Sequence, residues 1–278
     1  GIKILLDIYN RKNIIALRGN HDFLAHYILK FLITSSDMYD SDSLVRLAVA
    51  KTGHGLDTLV NDENPTIRAV VAKQGFYLDK LTNDENSWVR VSVASRKHNL
   101  HILIHDKDWY VRTAVAQQGF GLDTLIHDKE WIVRKAVAEQ GYGLETLVYD
   151  EAELVRAVVA SQGYGLDILV HDKDAAVRIA VARQGYGLDI LINDESSLVR
   201  EVVAEQGYRL DILAHDEDSD VRFVVAQQGY HLEEFVNDED PAIRAIVAAH
   251  GVGLEILLHD ADPEVRKAAE EALRKANN

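Results

Sequence analysis

Residues 105–126 read HDKDWYVRTAVAQQGFGLDTLI, and this stretch decides the fold because it recurs. Its Val111-Arg112 pair belongs to a series: Val45-Arg46, Ile67-Arg68, Val89-Arg90, Val133-Arg134, Val155-Arg156, Val177-Arg178, Val199-Arg200, Val221-Arg222, Ile243-Arg244 and Val265-Arg266. Successive pairs are 22 residues apart, giving eleven copies without an insertion from residue 39 to the end. A fixed period of this kind marks a solenoid, where each repeat buries its apolar face only against its neighbours. With position 1 set at the residue before the Asp, repeat 1 starts at Tyr39, repeat 2 at Asn61 and repeat 11 at His259.

The repeat carries its own punctuation. Position 4 is usually a helix N-cap residue (Asp42, Asn64, Asn86, Asp108, Asp174, Ser196, Asp218, Asp240, Asp262). All three prolines, Pro65, Pro241 and Pro263, fall at position 5, where a first helical residue has no amide bond to lose. Position 15 is glycine in nine repeats, as at Gly119 and Gly141, and supplies a left-handed C-terminal cap. These signals predict a helix over positions 5 to 14. Apolar residues at positions 18 and 21, such as Leu122 and Leu125, then predict one short helical or 3₁₀ turn. Positions 7, 10, 11 and 12 form the expected core face, and positions 5, 9 and 13 an outward stripe.

The pattern Asp-x-x-x-x-x-Arg-x-Ala-Val-Ala followed by Leu-x-x-Leu resembles the leucine-rich-repeat variant family and, more distantly, HEAT-type repeats. That resemblance covers about residues 39–278. It implies an all-α, right-handed superhelical solenoid of eleven 22-residue repeats, each one α-helix plus a short helical or 3₁₀ turn. An iron–sulfur cluster known in that family needs cysteines, and this chain has none. Two repeats depart from the pattern. Repeat 3 reads Ser95-Arg96-Lys97-His98-Asn99 at its cap, without glycine, so a local irregularity is expected there. Repeat 11 runs on from Val265 to Lys275 as one longer, more polar helix, as a terminal cap requires. The expected organisation is a capping segment over 1–38, ten solenoid repeats over 39–258 and a capping repeat over 259–278.

Composition narrows the chemistry. Without cysteine there can be no disulfide, thiolate metal site or cysteine nucleophile, in keeping with a reducing cytoplasm, the expected location. A net charge of −15 argues against a nucleic-acid or anionic membrane partner, since both need a basic footprint. No signal peptide is read in Gly1-Ile2-Lys3-Ile4-Leu5-Leu6, and a start at Gly1 suggests a fragment.

The first 38 residues are not repeats. The run Asn13-Ile14-Ile15-Ala16-Leu17-Arg18-Gly19-Asn20-His21-Asp22 resembles the Gly-Asn-His-(Asp/Glu) block of calcineurin-type metallophosphatases. The resemblance makes Asn20 a metal ligand and His21 a leaving-group stabiliser. Yet a two-metal site needs several more ligands than one Asn and one His supply. The segment is therefore read as a phosphatase-like fragment reused as a cap, with a helix over Phe23 to Ile33 shielding repeat 1. No catalytic residue, metal or cofactor is expected.

The repeated polar and aromatic residues read as structure. Asp at position 2 and Arg at position 8 occur in all eleven repeats, as in Asp106 and Arg112, and uniform recurrence points to a stacking register. His105, His127, His171, His215 and His259 at position 1 sit on rungs ~8–10 Å apart, too far for one metal ion to bridge. Phe120, Tyr142, Tyr164, Tyr186, Tyr208 and Tyr230 at position 16 are expected to pack between repeats. Function is left to the positions that vary. All three tryptophans, Trp88, Trp109 and Trp131, fall at positions 5 or 6 of consecutive repeats, with Tyr110 and Ile132 beside them. They pack locally near repeat 3 or form an aromatic patch for a protein or peptide partner. Ile179 and Phe223 at position 9 are further exposed apolar candidates. The expected function is a non-catalytic protein- or peptide-binding scaffold. A metallophosphatase remnant and a HEAT-like nucleic-acid binder are the alternatives.

Overall fold

The structure is a computed structural model and describes residues 37–277. The described residues are helical throughout and contain no strand. The capping segment expected over 1–38, with Asn20, His21 and the Phe23 to Ile33 helix, falls almost wholly outside them. None of the described helices is long and apolar enough to cross a membrane.

Contacts divide the chain after Tyr142 into two compact units. In the first, main helices at Ser43–Lys51, Pro65–Lys73, Ser87–Ser95, Trp109–Gln117 and Trp131–Glu139 alternate with single turns at Leu56–Leu59, Leu78–Leu81, Leu100–Leu103 and Leu122–Leu125. In the second, main helices at Glu153–Ser161, Ala175–Arg183, Ser197–Glu205, Ser219–Gln227 and Pro241–Ala249 lead to the terminal Pro263–Ala276. The short turns are α-helical except Leu232–Phe235, which is 3₁₀. Within each unit every main helix packs on that of the next repeat, which is solenoid stacking.

The main helices cover positions 5 to 13, one residue short of the predicted end. Their N-caps act as read: the side chains of Asp42, Asn64, Asn86, Asp108, Asp174, Asp218, Asp240 and Asp262 each accept a hydrogen bond from the amide two residues on. Ser196 starts its helix without a side-chain cap bond. The core is a column of Val, Ala and Leu from positions 7, 11, 12 and 21, such as Val177, Val181, Ala182 and Leu191, at most 1 % exposed. Each buried Val or Leu contributes about 1.5–3 kcal/mol. Position 10 is buried in five repeats, as at Ala136 and Val202, and half-buried in the others. The outward stripe also differs from expectation: position 9 is half-buried or buried, as at Ala69 and Thr113, and position 6 is the exposed one.

The irregularity expected in repeat 3 is absent. Ser87–Ser95 and Leu100–Leu103 keep the standard lengths, and Lys97 takes the left-handed conformation (φ 57°) that glycine has elsewhere. Stacking on both sides outweighs the local backbone cost of about 1–2 kcal/mol. Position 17 is also left-handed throughout, through glycine or through Tyr77, Asn99, Arg209 and His231.

Within each unit, arginine at position 8 ties a repeat to the next. Arg178 donates from Nε and Nη2 to both carboxylate oxygens of Asp194 in the following repeat, at 2.6 and 2.8 Å, and from Nη1 to the Asp172 carbonyl of its own turn at 2.7 Å. The same fork joins Arg46 to Asp62, Arg68 to Asp84, Arg90 to Asp106 and Arg112 to Asp128 in the first unit. In the second it also joins Arg156 to Asp172, Arg200 to Asp216, Arg222 to Asp238 and Arg244 to Asp260. Each Asp also accepts the position-4 amide of its own repeat, as Asp194 does from Ser196 at 2.9 Å. Among the described residues no buried side-chain polar atom lacks a partner.

Burial alone pushes the carboxyls of Asp62, Asp84, Asp128, Asp172 and Asp238 up, but the arginine forks and position-4 amides outweigh it and hold each below the usual carboxylate range. A group depressed in the folded state stabilises the fold fully above its unfolded pKa, about 3.9 for Asp, and loses that contribution as pH falls through the folded value. The melting temperature followed by circular dichroism should therefore drop steeply below about pH 4; a melting temperature that holds down to pH 2 contradicts this. A second test concerns Gly165, whose φ is +61° and where a Cβ would lie 2.6 Å from Val148 Cγ2. Gly165→Ala should cost about 1–3 kcal/mol. It should cost more than Gly185→Ala, where φ is +70° but the added Cβ meets nothing within 4 Å. Equal costs in chemical denaturation would show that the contact with Val148 is irrelevant.

Candidate functional site

The first turn of the main helix is where the repeats differ most, and three successive repeats place aromatic rings there. Asn86 and Asp108 cap the helices that carry Trp88, Trp109 and Tyr110. Capping fixes where each first turn begins, and so which way positions 5 and 6 project. Trp88 and Tyr110, both at position 6, stack across the repeat boundary with ring centres 5.5 Å apart and planes 12° from parallel. Trp109 meets Tyr110 edge-on, also at 5.5 Å, with planes 73° apart. The Lys73 ammonium lies 5.7 Å from the centre of the Trp88 ring. Trp131 and Ile132 occupy the same two positions on the next helix.

Trp88, Tyr110 and Trp109 pack on one another, and all the rings still face solvent. Trp88 is 46 % exposed, Trp109 39 %, Tyr110 38 % and Trp131 37 %, while Ile132 is half-buried. Ring pairs of this kind contribute about 0.5–1.5 kcal/mol beyond area burial. Packing and exposure therefore coexist, and the rings are held in fixed relative orientation with an open outer face.

The other two sequence candidates do not join it. Ile179, on Ala175–Arg183, and Phe223, on Ser219–Gln227, lie in the second unit and are half-buried at position 9. That position leans toward the neighbouring main helix rather than outward.

Sequence reasoning placed the position-16 aromatics between repeats. The structure turns several of them out: Phe76, Phe120, Tyr142, Tyr164 and Tyr186 are exposed, while Tyr208 and Tyr230 are half-buried. Position 16 falls between left-handed residues 15 and 17, so it projects from a corner of the chain. The signal that could have found this is the recurring glycine at both flanking positions, as at Gly163 and Gly165.

Among the described residues no three His, Asp or Glu side chains come together as a metal site. No protein-family model matches the chain, and no curated protein matches it.

Proposed function

We propose that the protein is a non-catalytic scaffold that binds a protein or peptide through the aromatic patch of Trp88, Trp109, Tyr110 and Trp131. The helical repeat architecture fits a scaffold, and its stacked repeats offer many side chains in fixed register. Its invariant residues are occupied by caps, core and the arginine forks. The observation that carries the reading is the Trp88–Tyr110–Trp109 cluster: large aromatic rings, mutually packed and exposed, at positions that the repeats outside this stretch fill with Ser, Pro, Ala, Glu, Asp, Thr or Leu. Trp and Tyr are the residues that most often dominate binding energy at protein interfaces. The likeness to leucine-rich-repeat variant proteins belongs to the same reading, since it supplies a fold and no active site.

The test compares the intact chain with Trp109→Ala/Trp131→Ala. The double variant should unfold at nearly the same denaturant concentration, within about 1 kcal/mol. It should lose the proteins that the intact chain retains from a lysate, with hot-spot truncations costing about 2 kcal/mol or more in affinity. Loss of several kcal/mol of stability, or an unchanged set of retained proteins, would assign these rings to packing instead.

A further inference from the structure

Charge is divided unevenly along the chain. Residues 143–278 hold 28 acidic and 12 basic side chains, net −16, whereas residues 1–142 hold 17 acidic and 18 basic, net +1. Within the acidic unit, the single-turn helices present three parallel rows. Position 16 carries tyrosines, position 19 carboxylates, and position 20 isoleucines such as Ile168, Ile190 and Ile212, all three exposed.

Hydrogen bonds elsewhere reveal how two of these rows meet. In the first unit His98, at position 16, contacts Asp79, at position 19 of the preceding repeat, through Nε2 at 2.7 Å. Position 16 of each repeat therefore adjoins position 19 of the one before. Carried into the second unit, this register pairs position 16 with position 19 as Tyr164 with Glu145, Tyr186 with Asp167, Tyr208 with Asp189 and Tyr230 with Asp211.

A carboxylate next to an aromatic ring is a seat for a cation, by charge and by the ring's negative face. The chain fills one such seat itself. Arg209 forks onto Asp211 with Nε at 2.9 Å and Nη2 at 3.0 Å. In the first unit His98, standing where the second unit has tyrosine, meets Asp79 directly. Glu145, Asp167 and Asp189 have no such partner: no lysine, arginine or histidine among the described residues pairs with them, and Asp167 and Asp189 are exposed.

We propose that this face of residues 143–278 binds an extended basic peptide with a lysine or arginine at every third residue. The spacing follows from geometry. Packed repeats are ~8–10 Å apart, and a polyproline-type chain advances about 9.3 Å in three residues. Each third side chain then reaches one carboxylate–tyrosine seat, as Arg209 does, while the residues between lie along the isoleucine row. This surface is separate from the tryptophan patch, and the substitutions below leave that patch intact.

The test is fluorescence anisotropy of a labelled peptide of three Lys-Ala-Pro triplets with the full chain at about 50 mM salt, where surface charges are weakly screened. Saturable binding is expected, weakened about tenfold by Asp167→Asn/Asp189→Asn through loss of two charge-assisted contacts. Tyr186→Ala should weaken it several-fold. Glu195→Gln/Glu217→Gln removes the same charge from the main-helix side and should leave affinity unchanged. A peptide of the same composition with its lysines contiguous should bind less tightly. Circular dichroism confirms that each variant is folded. The proposal is overturned by absence of saturable binding, by equal losses in the two double variants, or by equal or tighter binding of the contiguous-lysine peptide.

Discussion

The fork from arginine at position 8 to aspartate in the next repeat is the interaction on which the rest of the structure depends. A 22-residue repeat with one nine-residue helix and one further turn cannot enclose a core alone. It must meet its neighbour at one height and one rotation. Arg178 and Asp194 set both, because a planar guanidinium meets a carboxylate in two parallel bonds only over a narrow range of geometry. The third arm, on the Asp172 carbonyl, anchors the same arginine in its own turn. The apolar column of Val, Ala and Leu supplies most of the driving force, yet such side chains are tolerant of sliding. Buried ion pairs are weak stabilisers for their cost and stronger as specifiers of register.

Using one aspartate and one arginine per repeat in this way leaves the surface to the remaining residues. In the first compact unit the consequence is an aromatic cluster on nearly neutral ground. In the second it is an acidic face with tyrosine and isoleucine rows. The same backbone therefore presents two chemistries, because stacking does not constrain positions 5, 6, 16, 19 and 20. Tolerance extends to the backbone itself. Tyr77, Asn99, Arg209 and His231 hold a left-handed conformation that glycine holds in other repeats. Such local cost persists where neighbouring repeats fix the turn, and at Arg209 the residue so held is the one that reaches Asp211.

Much of this was legible in the sequence. The period, the caps at position 4, the prolines at position 5 and the glycine at position 15 give the helix boundaries to within a residue, because each signal has a local physical cause. The Asp–Arg pairing was legible as structural from its recurrence, with the partner Asp left open between the same and the adjacent repeat; the fork takes the adjacent one, 16 residues on. What the sequence did not disclose depends on the stacking. Position 6 rather than 9 faces outward, which the helical period of a single repeat does not decide. Position 16 turns out because two left-handed residues flank it. Repeat 3 stays regular because its neighbours hold it, where its own Lys97 argues otherwise. The tryptophan cluster was visible as three residues in a row of repeats; that Trp88 and Tyr110 stack while Trp109 closes on their edge required coordinates.

The claim that the fork sets the stacking register is tested most directly by a double-mutant cycle on Arg178 and Asp194, using Arg178→Met, Asp194→Ala and the pair, each measured by chemical denaturation. Either single change leaves a buried charge without its partner, which costs about 3–5 kcal/mol. The account predicts that the double variant loses less than the sum of the two by about 2 kcal/mol or more. Losses that add to within about 0.5 kcal/mol would mean that the two residues act independently, and the register would then have to come from the apolar column alone.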